Sequence, residues 1–141
     1  MTSTSLPVEH LFTVRFDTAP PAVAVDCPPG TRVLVNVTGG EFNGPRIRGT
    51  ATAGSDWVVL RPNGDMAIDV RAQLTADDGT TILMTYAGLA RTGADGALSI
   101  RTTPRFEAPA GGPHDWLNSV VAVATGTMAE GSVTYDVYAL G

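Results

Sequence analysis

The chain of 141 residues has no lysine. All nine of its basic residues are arginine, set against fourteen acidic ones for a net charge of −5. Without lysine no Schiff base can form with a carbonyl substrate. Nine dispersed arginines also lack the basic stripe that gives proteins their affinity for a phosphate backbone, so nucleic acid is not an expected partner. A single cysteine, Cys27, excludes an internal disulfide, and no CxxC pair or Cys/His cluster exists to hold a metal. No glycine-rich phosphate loop, dinucleotide fingerprint or GxSxG elbow is present, so neither a cofactor nor a serine nucleophile is expected. No apolar run approaches the roughly 18 residues of a membrane span, and MTSTSLPVEHLF lacks the basic and apolar regions of a leader. The expected setting is the cytoplasm, away from membranes.

Helical periodicity is missing as well, and 16 glycines and 10 prolines interrupt the chain throughout. Strand signals fill the space instead. His10–Phe16, Thr31–Thr38, Arg46–Ala53, Trp57–Arg61, Met66–Thr75, Thr80–Ala90, Ala97–Thr102, Val120–Met128 and Ser132–Leu140 are β-branched or alternate in polarity. Turn chemistry separates them at Pro28-Pro29-Gly30, Pro62-Asn63-Gly64, Asp77-Asp78-Gly79, Ala94-Asp95-Gly96 and Glu130-Gly131. Eight or more strands joined by tight turns predict an all-β fold, a single antiparallel barrel of meander type that closes to remove its edges. Residues 1–10 read as a tail and 11–141 as the barrel domain. Within Met66–Thr75, one face carries Met66, Ile68, Val70, Ala72 and Leu74, and the other Ala67, Asp69, Arg71, Gln73 and Thr75. Either face can line the interior, since a barrel can hold a hydrated cavity.

Three groups of residues can carry chemistry. Asp69 and Arg71 leave one strand face about 6–7 Å apart, as a general base with its electrostatic partner or as a solvated ion pair. Tyr86, on the next strand, can donate a hydrogen bond to a developing oxyanion or stand as a core tyrosine. Asp56 follows a Gly-Ser pair and reads as a turn residue, while Trp57 beside it is core or pocket wall. The third group flanks Pro104 and a Gly/Pro-rich bend: Arg101, Arg105, Phe106, Glu107, His114, Trp116 and Asn118 form either a substrate-binding mouth or a structural latch.

RTTPRFEAPAGGPHDWLN (Arg101 to Asn118), GGEFNGPRIRGTATAGSDW (Gly39 to Trp57) and LTADDGTTI (Leu74 to Ile82) together resemble DUF3237, also called UPF0311, a family of bacterial and fungal proteins. The likeness runs from about Leu11 to Tyr138. It implies a β-barrel, gives added weight to Asp69 and Arg71 because an Asp-x-Arg pattern recurs there, and marks the Asp56-Trp57 pair.

The expected function is that of a cofactor-independent isomerase, cyclase or lyase of biosynthesis, acting by acid–base chemistry on a planar or carbonyl-bearing metabolite inside the barrel. Asp69, Arg71 and Tyr86 are its candidate catalytic residues. The alternative is a lipocalin-like protein that binds a small molecule without turnover. With only 16% of residues charged, a homo-oligomer, most simply a dimer, is expected.

Overall fold

In the computed structural model, which describes residues 2–141, nine strands form one antiparallel sheet. They are β1 (Val8–Thr18), β2 (Val23–Cys27), β3 (Gly30–Asn43), β4 (Arg48–Leu60), β5 (Met66–Ala76), β6 (Thr81–Thr92), β7 (Leu98–Glu107), β8 (Ala122–Ala129) and β9 (Ser132–Leu140). From β3 to β9 each strand pairs with the next in sequence. The ring closes because β1 lies between β9 and β3, with Thr13 opposite both Asp136 and Asn43 and Asp17 opposite both Ser132 and Gly39. Eight strands thus make the closed barrel, and the first of them starts at Val8, inside the segment expected to be a tail. The ninth, β2, pairs only with β3, on the part of β3 that extends past β1. All five residues of β2 are exposed and proline pairs flank it, Pro20-Pro21 before and Pro28-Pro29 after. Proline blunts such an edge against further pairing.

Alternation in β5, β6 and β7 decides which face is the interior. Ile68, Val70, Ala72, Leu74 and Ala76 of β5 are buried, with Ile82, Met84, Tyr86 and Ala90 of β6 and Ile100, Thr102 and Phe106 of β7. Asp69, Arg71 and Gln73 stand on the exposed outer wall. The apolar stripe is therefore the inner one, as the transfer of these side chains out of water requires.

One end of the barrel is packed shut. Phe12 lies against Phe42 and Phe106, with ring centroids 5.3 and 5.7 Å away. Leu117, from a short 3₁₀ turn at Asp115–Ser119, is buried in the same cluster. Asn118 fastens that turn to the end of β7: its side-chain oxygen accepts from the Ala108 N–H (2.8 Å), and its amide donates to the Ala108 carbonyl (3.0 Å) and the Asp115 carboxylate (2.7 Å). Outside the plug, the Arg46 guanidinium stacks 3.8 Å above the Trp116 ring.

Strand β4 departs from the sequence expectation. Two strands separated by a Gly54-Ser55 turn were expected, and one continuous strand is found, with an irregularity in its pairing to β5 between Ala51 and Ala53. The extra residue of a β-bulge reverses the alternation beyond it. Ala51 faces inward before the bulge; Asp56, Val58 and Leu60 face the interior after it.

The closing seam depends on a close backbone approach at Gly40, which has φ +139 and whose added Cβ would meet the Arg15 carbonyl oxygen. Gly40→Ala is expected to lower stability by about 1–3 kcal/mol, read as a lower denaturant midpoint at unchanged slope. An unchanged midpoint would show that the β1–β3 seam does not need that approach.

Candidate functional site

At the end opposite the plug the barrel is open, and a cavity of about 600 Å³ runs inward from the mouth. That volume suits a small organic ligand. Pro20 and Pro21 lie on one side of the mouth and the β8–β9 turn, with Glu130, on another. Aliphatic side chains of β3, β4 and β5, among them Val33, Val35, Val58 and Ile68, form the walls. Phe16, Tyr86 and Tyr135 pack together deeper in: Phe16 and Tyr86 are stacked at 6.0 Å, and Tyr86 and Tyr135 meet edge to face at 4.9 Å. Gly126 makes room for this arrangement, because a Cβ there would lie 2.6 Å from the Tyr135 ring.

Into this apolar space β4 projects the carboxyl group of Asp56. Its partner is a backbone group: the Asp69 N–H donates to Asp56 Oδ1 at 3.3 Å. That N–H is free for a side chain because paired positions on β4 and β5 stop at Asp56↔Val70 and resume at Val59↔Ala67. Burial disfavours the ionised carboxylate and pushes its pKa up to about 6; the Asp69 N–H opposes the rise and the nearby Asp69 charge adds to it. Both tyrosine hydroxyls are held well above their ordinary value, mainly by burial, with the charge of Asp56 contributing. A carboxyl that can take up or release a proton near neutral pH therefore shares a cavity with two phenols that stay protonated.

Of the catalytic and substrate-binding candidates named from sequence, Tyr86 alone lines this cavity. Asp69 and Arg71 do share a face, but it is the outer wall, and the residue of β5 opposite Tyr86 is Val70. The expected convergence of Asp69, Arg71 and Tyr86 is not formed. Trp57 is also on the outer wall, 50% exposed, because the bulge in β4 turns its neighbour Asp56 inward instead. On β7 Arg101, Arg105 and Glu107 point outward, while Phe106 is buried in the plugged end. His114, Trp116 and Asn118 gather at that plugged end too, where the His114 ring is 2.8 Å from the Asp78 carboxylate. Their geometry is that of the latch reading. Sequence reasoning missed Tyr135, which the alternation of VTYDVY could have placed beside Val137 on the buried face, and it gave Asp56 to a turn.

A small closed β-barrel with one sealed end and an apolar cavity bearing a carboxyl group and two phenols is the class of protein these features define. The chain belongs to the DUF3237 family, "Protein of unknown function (DUF3237)", whose model matches residues 6–140. It is 27% identical over 150 residues to a UPF0311 protein of Rhodopseudomonas palustris strain TIE-1, covering 95% of this chain and 96% of that one. Among solved structures, a β-barrel-like protein of Acinetobacter baumannii AYE is 26% identical and superposes with a TM-score of 0.91 over 99% of both chains. An enzyme from Penicillium herquei shares the fold at 22% identity, with a TM-score of 0.76 over 100% of this chain and 98% of that one.

The buried carboxyl has a thermodynamic signature. Asp56 releases its proton near 3.8 when exposed and at about 6 in the folded protein. As pH rises between those values the unfolded chain ionises first, so this group removes stability, about 1–3 kcal/mol once pH exceeds 6. Asp56→Asn keeps an oxygen for the Asp69 N–H. The variant is expected to gain that stability at pH 8 and to match the parent near pH 4, measured by denaturant unfolding across the range. Equal stability at both ends would mean that the Asp56 carboxyl is hydrated.

Proposed function

We propose that the protein is a cofactor-independent acid–base catalyst for an apolar small molecule carrying a carbonyl or hydroxyl group. Asp56 takes the role first assigned to Asp69: it removes a proton from the ligand and can return it elsewhere on the same molecule. Tyr135, with Tyr86 beside it in the lining, supplies a hydrogen bond to the ligand oxygen on which negative charge develops. Electrons and protons balance within one substrate, so isomerisation, cyclisation and elimination are the reactions within reach.

The observation that carries this reading is the inward carboxyl group of Asp56, with its pKa raised to about 6, sharing an apolar cavity with two protonated phenols. A proton-transfer group works best with a pKa near the operating pH, and perturbed carboxyls concentrate at functional sites. The Penicillium herquei enzyme supports the reading at the level of fold. A lipocalin-like container is the second reading, favoured by the aliphatic walls. A dimer is part of the proposal, supported by Val23 and Trp57, both opposite Leu34 in register and both exposed on the outer wall.

The test is a panel of apolar ketones and phenols in deuterated buffer, followed by NMR for exchange of acidic C–H and for rearranged products. Asp56→Asn is expected to slow an active compound about 10²–10⁴-fold, and Tyr135→Phe less, with little change in binding. Asp69→Asn, on the outer wall, should stay within a few fold of the parent. Binding without exchange or turnover across the panel would favour the container, and near-native turnover by Asp56→Asn would reject the assignment.

A further inference from the structure

The charges around the cavity restrict what can enter it. None of the nine arginines, nor either histidine, is among the described residues that line it. Arg15 pairs with Asp17 and Glu41, Arg48 with Asp77, Arg91 with Asp65, and Arg46 covers Trp116 at the plugged end. The charged groups of the lining are Asp56 within and Glu130 at the mouth, both acidic. An organic anion entering here would lose its hydration without meeting a cation and would face a carboxylate of like charge.

Resting on the acid–base reading of the same site, we infer that the cavity admits uncharged ligands and excludes organic anions, so that its substrate carries neither a carboxylate nor a phosphate-bearing carrier. A bound cation would be attracted to Asp56 but would hold it ionised and paired, which removes it from proton transfer. The neutral ligand is the one compatible with both the lining and the chemistry.

The experiment uses the neutral dye N-phenyl-naphthylamine as the cavity probe, displaced by three ligands of one shape: naphthol, naphthoate and naphthylmethylamine. Naphthol is expected to displace the dye at concentrations about tenfold or more below those of naphthoate, and the amine, drawn to ionised Asp56, is also expected to act ahead of naphthoate. The gap between naphthol and naphthoate should narrow at about pH 5, where Asp56 is protonated, relative to about pH 8, and should narrow at both in Asp56→Asn, checked as folded by circular dichroism. Asp69 of β5, Tyr86 of β6, Tyr135 of β9 and Glu130 at the rim are the other titratable groups around Asp56. A pH-dependent gap that persists in Asp56→Asn would therefore assign the selection to one of them and overturn the inference. Equal displacement by naphthoate, an amine no better than naphthoate or failure of the dye to bind would overturn it as well. If the selection holds while no panel compound turns over, the catalytic reading fails alone; if Asp56→Asn abolishes turnover while naphthoate binds as well as naphthol, the charge filter fails alone.

Discussion

Between Ala51 and Ala53, β4 holds a residue that its partner β5 does not match, and the direction of every side chain from Asp56 to Leu60 follows from it. Without that residue, alternation would carry Trp57 into the barrel and Asp56 out to solvent. The indole would fill much of the space that is now a cavity, and the interior would hold no ionisable carboxyl group. With it, the large aromatic is on the outer wall and the carboxyl is in an apolar space, supported by an Asp69 N–H that the interrupted ladder leaves available. Placement and raised pKa of Asp56 share this one cause.

The two ends of the barrel divide stability from function. At the plugged end aromatic rings and Leu117 fill the interior, and polar residues are consumed in fastening the chain to itself through Asn118, the Arg46–Trp116 stack and the His114–Asp78 contact. At the open end the lining is mostly aliphatic, and Asp56, Tyr86 and Tyr135 border the cavity. A packed core at one end is what allows the other to remain unfilled, since an apolar cavity costs stability that must be offset elsewhere.

Much of the architecture was legible in the chain. Alternation in β5, β6 and β7, and turns such as Asp77-Asp78-Gly79, give strands of nearly the right extent and an antiparallel barrel, and they place Tyr86 with Ile82 and Met84 on the face that proves buried. Pairing Asp69 with Arg71 on one face was correct, but period-two alternation states which residues share a face and leaves open which face is inside. A hydrated interior and an apolar one read alike until packing decides. The bulge in β4 was not legible, because Gly54-Ser55 just beyond it has the composition of a turn and Ala51-Thr52-Ala53 carries no signal of its own. β2 escaped notice for a related reason: VAVDC is short, fully exposed and bracketed by prolines, so no burial pattern marks it. The arginines and aromatics near Pro104 were legible as a cluster, yet latch and mouth use the same residue types, and only the Asn118–Ala108 geometry separates them.

The central claim is that Asp56 is an inward, desolvated carboxyl group, and the most direct measurement of it is an NMR titration of the Asp56 side-chain carboxyl carbon in the ligand-free protein. The account predicts a midpoint at about 6, with the Tyr86 and Tyr135 ring signals responding in the same pH range because the new charge faces them. A midpoint near the ordinary 3.8, with the tyrosine signals unmoved, would contradict it.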